Sequence, residues 1–558
     1  MMTRVPPPLF LISAFALAAC ASEAGGETTL VGKSPQLSAE NLKRDTQVLS
    51  SDVFGGRAPM TDGEQKTIAY ISEAFAAAGL QPGNGDAWFQ EVPLVEVGVD
   101  ESAADISFVN DGKPLFIGKY GIEQVIWTKR IEPEVNMADA ELVFVGYGVN
   151  APEKAWNDYE GIDMAGKVAV ILVNDPDWET EGLDGEFGGR AMTYYGRWTY
   201  KYEEAARQGA AGALIIHDTE PAAYGWSTVE SSWSGPQIEM DRPDNGAGRV
   251  AVEGWMHGDL AAKLFSAADL DMAALVARAK SRDFAAVPMG VTASATLTNT
   301  IRRQQSNNVI GILPGSKRPD EYVLYTAHWD HLGRCAPGEA DEICNGAFDN
   351  ATGTAGLIEL ARAHAEAGPA DRSLVFLAVT AEESGLLGSA YYAEQPVYPL
   401  AQTVGGLNMD GLNILGRTND VVVIGAGKSE LEDILTAEAE AQGRRMELES
   451  SPEKGYFYRS DHFSLAKKGV PMLYAEGGVD IVGKGGEFGE AAADDYITNR
   501  YHLPGDEYDP DWVWDGAVQD LELNYRIGRA LANSQDWPNW REGDEFRAVR
   551  DQSRAGLQ

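Results

Sequence analysis

From about residue 295 the chain alternates short apolar runs with amphipathic stretches, and this limits the possible fold more than any other feature. "YVLYTAH", "SLVFLAVTAEE", "TVGGLNMDGL", "DVVVIGAG" and "VPMLYAEGG" read as strands. "TGTAGLIELARAHAEAG", "SGLLGSAYYAEQ" and "SELEDILTAEAEAQG" read as helices. Strands that are apolar on both faces need cover on both faces. The pattern therefore predicts an α/β domain, a mainly parallel sheet between two helical layers. Sheets of this kind hold ligands beyond the carboxyl ends of their strands.

Those ends carry the residues capable of chemistry. His328 and Asp330 follow "YVLYTA", and Asp349, in "NGAFDNATG", stands just before a helix. Glu382 and Glu383 follow "LVFLAVTA", Asp410 ends "TVGGLNM", and His502 lies in the loop "RYHLPGDEYD". Taken singly, each has an ordinary explanation: an aspartate before a helix is an N-cap, and a glutamate pair is solvated surface. Taken together at one sheet edge they resist it, because charged groups ending buried strands must be paired or bound to something. Two imidazoles and three carboxylates form a borderline-hard donor set that favours Zn²⁺, with Mn²⁺ or Co²⁺ as alternatives.

At 558 residues the chain is too long for a single core, and two or three domains are expected. Residues 38 to 80 read as two helices, the first starting at a serine cap and the second stopping at Gly79. Short β-like pieces follow to about 135. The run "LVFVGYGVNAPEKAWNDYEGIDMAGKVAVILVNDP" with "RWTYKYEEAARQGAAGALIIHD" resembles a protease-associated (PA) domain, a small β-rich insert, over roughly 130 to 285. His217 and His257 fall inside it without evident partners and are read as structural. His364, in mid-helix, is read as surface.

The N-terminus is set apart. A short basic start precedes an apolar run from Leu9 to Ala19, too short to span a bilayer, as in a secretory signal peptide. Its end, "LAAC", resembles the lipobox of bacterial lipoproteins, which implies lipidation at Cys20. With Cys20 set aside, Cys335 and Cys344 remain, close together in one loop, and export makes a disulfide between them plausible. A formal charge of −40 argues against a nucleic-acid partner, whose phosphates would be repelled.

The motifs "AHWDHLG", "NGAFDNATG", "TAEESGLLGS", "NMDGLN", "SDHFSLAKKGVP" and "RYHLPGD" together resemble the M28 zinc peptidases in order and spacing across about 295 to 530. The resemblance implies two zincs per chain. His328 and Asp410 would bind one, Glu383 and His502 the other, and Asp349 would bridge both. Glu382 would be the general base, and Asp330 would orient His328 by accepting its free imidazole N–H. Two metals ~3.5–4 Å apart need a bridging carboxylate. Adjacent glutamates diverge on an extended strand, but at a strand end the turn lets one hold metal while its neighbour approaches the water. His331 lines the pocket or is a packing residue, the second being preferred. His462 belongs to the motif without being a ligand. Neither Tyr456 nor Tyr458 aligns with the family's substrate-stabilising tyrosine, so the oxyanion donor stays open.

These readings divide the chain into a lipoprotein signal peptide (1–20), a tether (21–36), the N-terminal part of a peptidase domain (37–129), the PA insert (130–285), the catalytic zinc peptidase domain (286–535) and a C-terminal surface tail (536–558). The expected protein is an exported aminopeptidase acting on peptides through a two-zinc-activated water, lipid-anchored in a bacterial cell envelope. Two alternatives stay open. Glutaminyl cyclases share the fold and use one zinc, and a binding protein of the same fold would have no activity. Oligomeric state and residue preference are not legible.

Overall fold

The structure is a computed structural model and describes residues 36–556. Cys20 and most of the tether therefore lie outside the described residues. Helices α1 (Ala39–Leu49) and α2 (Asp62–Ala78) open it. Ser38 and Thr61 cap their N-termini, and Gly79, with φ +92°, stops α2 in the left-handed conformation a side chain would disfavour.

The main sheet is built from β1 (Phe89–Val99), the second half of β2 (Val287–Leu313), β3 (Arg318–His328), β4 (Arg372–Val379), β5 (Thr403–Asn408) and β6 (Met472–Gly477). Its order is β1–β2–β4–β3–β5–β6; the central four, β4, β3, β5 and β6, are parallel. Antiparallel pairing is confined to the flanks, where Gln237–Met240 joins β1 and Asp420–Val423 joins β6. Side chains alternate between two cores. Val323, Tyr325, Leu374 and Phe376 face α2, α3 (Gly353–Glu366) and a long C-terminal helix, Asp515–Asn533. Leu324, Val375 and Leu377 face the other way, against Tyr392 of α4 (Leu387–Glu394) and Leu465. The expected α/β architecture, covered on both faces, is what forms.

β3 lies between β4 and β5 although it precedes both, so the chain must pass over it. That reversal opens a crevice at the carboxyl ends of β3, β4 and β5.

The insert differs from expectation at both borders. Residues 106–127, expected with the peptidase domain, belong to the insert: Ile106–Asn110 pairs with β2 at Val291–Ala295, and Gln124–Trp127 pairs with Val252–His257. At the far border, β2 runs for 27 residues through both units. Its first half buries Met289, Val291, Ala293, Ala295 and Leu297 in the insert, with period two. Its second half pairs with β1 and β4.

Two further expectations are corrected. His364 is fully buried, with Nε2 2.9 Å from the Tyr325 hydroxyl, which itself donates to the Asn524 carbonyl. α3 is packed on nearly every side, so a mid-helix position gives it no solvent face. The C-terminal stretch is not a surface tail: Trp540 is wholly buried and donates to the Gly469 carbonyl, and Arg550 donates to the Leu400, Thr403 and Val404 carbonyls. No helix among the described residues is long and apolar enough to cross a membrane.

Candidate metal centre

His328 is the last residue of β3, and the β-ladder fixes its neighbours. It pairs with Val379 at the end of β4, three residues before Glu382, and its strand lies beside β5, which ends two residues before Asp410. Asp349 enters from the turn ahead of α3, and His502 from the turn after α5 (Gly486–Asn499). Residues separated by up to 174 positions thus meet in one crevice.

His328 Nε2 lies 3.1 Å from Asp410 Oδ1 and 3.2 Å from Asp349 Oδ1. His502 Nε2 lies 3.0 Å from Glu383 Oε2 and 3.4 Å from Asp349 Oδ2. Each imidazole therefore faces its own carboxylate and one oxygen of Asp349. Donors held ~2.0–2.2 Å from a tetrahedral Zn²⁺ sit roughly 3.4 Å from one another, so both groups have the spacing of donors around a cation. Single donor atoms of His328, Asp349 and Glu383 all fall within 4.8 Å of one another. Asp330, Asp349, Glu382, Glu383 and Asp410 place five carboxylates here against His328, His331 and His502, an excess of negative charge that burial makes costly without a cation. The residues fit zinc.

The electrostatics separate the two glutamates. Burial pushes Glu382 well above the usual carboxylate range, against the pull of His328 and with help from Glu383, Asp410 and Asp461. Burial and Asp349 oppose ionisation of Glu383 as well, but His502 and His331 prevail and hold it at about 2. His502 is pushed up to about 10: burial works against its charge, and Glu383 and Asp349 overcome it. The two adjacent carboxyls are thus driven apart, one towards its protonated form and the other towards its ionised form.

Asp330 does not do what was expected of it. Its carboxylate is 3.8 Å from His328 Nδ1, too far for a hydrogen bond, and His328 instead meets the Asp330 backbone carbonyl at 3.2 Å. The carboxylate accepts the N–H groups of Glu382 (3.1 Å) and Glu383 (3.4 Å). Two residues along a chain leaving its strand, the carbonyl reaches the ring and the side chain reaches the next strand end. His331, read as packing, is buried with Nδ1 2.6 Å from Glu383 Oε1, the oxygen turned away from His502.

Other residues were missed. The Tyr501 ring stacks on His502 at 3.8 Å; although 43% of the residue is exposed, desolvation of its phenol together with the carboxylates of Asp349, Glu383, Glu382 and Asp410 keeps it protonated. Its adjacency to the loop histidine was the only available clue. Tyr458 is turned away, donating to Glu545, while the Tyr474 hydroxyl donates to the Asp410 carbonyl. Arg57 and Asp506 hold the loops around the site and carry no local signature. Cys335 and Cys344 are joined by a disulfide, and Cys344 N–H donates to the Gly333 carbonyl, closing a loop beside His331.

Residues 308–525 match the peptidase family M28. The mouse aminopeptidase NAALADL1 is 32% identical over 129 residues, 22% of this chain and 16% of that protein. A glutamate carboxypeptidase 2 homolog of Caenorhabditis elegans is 24% identical over 446 residues, 67% of this chain and 51% of that protein. The chain thus spans a sixth of the first relative's length and about half of the second's. The solved aminopeptidase from Aneurinibacillus sp. strain AM-1 is similar with a TM-score of 0.48 and 20% identity, covering 90% of this chain and 95% of that one. The matched stretch, residues 308–525, takes in the crevice and every proposed ligand, so this part of the chain is an M28 peptidase domain.

Proposed function

We propose that the chain is an exported, lipid-anchored zinc aminopeptidase of the bacterial cell envelope that removes N-terminal residues from peptides. One observation carries the catalytic part: two imidazoles, each with its own carboxylate, share the two oxygens of Asp349. His328, Asp349 and Asp410 would hold one zinc, and Asp349, Glu383 and His502 a second. Zinc bound there supplies Lewis acidity to a peptide carbonyl and to water.

The chain's own residues move the proton. Glu382 takes it from the attacking water on a carboxylate oxygen and delivers it to the departing amine nitrogen. Its raised proton affinity lets it hold the proton between the two events. Asp330, gripping the N–H groups of both glutamates, keeps the base and the ligand from exchanging places. His331 occupies the free oxygen of Glu383. Tyr501 donates its phenolic proton to the carbonyl oxygen as negative charge develops there. The surplus of carboxylates favours a substrate bearing a cationic amine, which supports an N-terminal cut; two relatives with different names, an aminopeptidase and a carboxypeptidase homolog, make that direction worth testing.

The test pairs metal analysis with peptides bearing free or acylated N-termini. Two zincs per chain and hydrolysis of free-amine peptides alone are expected. Cleavage of acylated peptides from the carboxyl end overturns the aminopeptidase reading, and full activity with one zinc favours the cyclase alternative. For the anchor, Cys20→Ser is expected to move the protein from the membrane fraction to the soluble one. A wild-type protein already soluble refutes it.

A further inference from the structure

Arg57 ends a 3-10 turn, Asp52–Arg57, far from the catalytic motifs in sequence, yet it is wholly buried beneath the metal centre. Its guanidinium makes four hydrogen bonds, all to backbone carbonyls. Nε donates to Trp329 at 2.8 Å, Nη2 to Gly346 at 2.8 Å, and Nη1 to Asn345 at 2.6 Å and Leu49 at 3.0 Å. One rigid fork thus joins the residue after His328, the turn leading to Asp349 and the end of α1. The backbone here is held in an unfavourable state to achieve this. Arg57 has φ +48°, in the left-handed region a side chain disfavours, and follows Gly55 and Gly56, also left-handed. Gly56 packs so closely that a Cβ would lie 2.5 Å from the Cys344 carbonyl oxygen and 2.7 Å from Gly333 Cα.

Asp506 grips the same turn from its other side. Its carboxylate accepts the N–H of Phe348 at 2.9 Å and of Asp349 at 3.1 Å, and its carbonyl accepts the N–H of Ala347 at 3.0 Å. The Tyr496 hydroxyl, from α5, donates to the same carboxylate. The segment 345–349 therefore has its carbonyls held by Arg57 and its N–H groups held by Asp506.

We infer that Arg57 and Asp506 form a two-sided clamp that positions the Asp349 carboxylate between His328 and His502. They touch neither substrate nor zinc; they act through the turn. This rests on the metallopeptidase reading above. A lysine at 57 keeps the charge but is a point donor without the fork, so it cannot span the His328 and Asp349 segments together.

The experiment compares the full chain with Arg57→Lys and Asp506→Asn. Zinc affinity is read by competition with a chromophoric chelator, site geometry by the absorption spectrum of the Co²⁺-loaded protein, and folding by circular dichroism. Zinc affinity is expected to fall about 10–100-fold in each variant, as when groups that orient metal ligands are lost. The Co²⁺ spectrum is expected to change, and kcat to fall further than KM rises. A folded Arg57→Lys with wild-type affinity and spectrum overturns the clamp. If Arg57→Lys does not fold, folded Asp506→Asn decides in the same way. Failure of both to fold also overturns it, making the pair struts of the domain rather than of the site. A wild-type chain that binds no zinc sinks the metallopeptidase reading itself, an outcome distinct from all of these.

Discussion

Glu382 and Glu383 are identical side chains on adjacent residues, and their surroundings shift their acidities in opposite directions. One is pushed up by burial and neighbouring carboxylates, and the other is held ionised by His502 and His331. Glu382→Gln is expected to keep its zinc and near-wild-type KM while kcat falls ~10²–10⁴-fold, the range of general acid–base catalysis. Glu383→Gln is expected to lose zinc first and activity with it. Zinc loss in the first and retention in the second would reverse the two roles. Tyr501→Phe serves as the companion, losing about 10²-fold in kcat with zinc retained. A second residue effect concerns acid stability. Burial lowers His462 from 6.5 to about 3. Because the folded value is depressed, its contribution is complete above pH 6.5 and is lost as pH falls towards 3, since the unfolded chain takes up a proton that the native chain refuses. By pH 5 this costs about 2 kcal/mol. His462→Gln is expected to flatten the pH dependence of unfolding by urea between pH 7 and 5; an unchanged slope refutes the assignment. Buried His364 acts in the same direction, its value also lowered by burial.

At the scale of elements, the loop closed by Cys335 and Cys344 connects the strand end carrying His328 and His331 to the turn carrying Asp349. Closing so short a loop removes about 2–3 kcal/mol of unfolded-state entropy in the chain-entropy model. Cys335→Ser and Cys344→Ser are each expected to lower unfolding free energy by about that amount, with the effect reproduced by reductant on the wild type. Stability insensitive to both changes ends the idea. The strand–helix alternation from β3 to β5 was legible because each element buries enough of itself to show its period in the sequence. β2 was not legible as one strand. It serves two sheets, and alternation within it reports only that one face is buried, not which sheet buries it. The same blindness misplaced residues 106–127: beyond the local hairpin of Ile106–Asn110 with Lys113–Gly118, their strand partners lie more than 120 positions away in the chain.

For the whole molecule, the metal centre couples binding to folding. Without zinc the crevice gathers carboxylates whose mutual repulsion opposes the fold, so chelation is expected to lower the unfolding temperature as well as abolish activity. Zinc restored at about 1,000 times its Kd should return about 4 kcal/mol. Calorimetry that finds equal stability with and without zinc contradicts this. Two kinds of information separate here. The residues of the centre could be found from sequence because chemistry restricts their types: few side chains bind zinc, and a sheet of this kind presents ligands at its strand ends. Sequence alone therefore determined the α/β class, and through the family resemblance it pointed to the five proposed ligands and the base. What it could not determine was anything carried by backbone groups or by distant partners. That Asp330 turns its carbonyl, not its carboxylate, to His328, that His331 holds Glu383, that His364 is buried, and that Arg57 and Asp506 grip one turn from two sides all depend on which strand lies beside which. Every residue has the same carbonyl and almost every residue the same N–H, so no side-chain identity marks their partners; only the tertiary structure decided them.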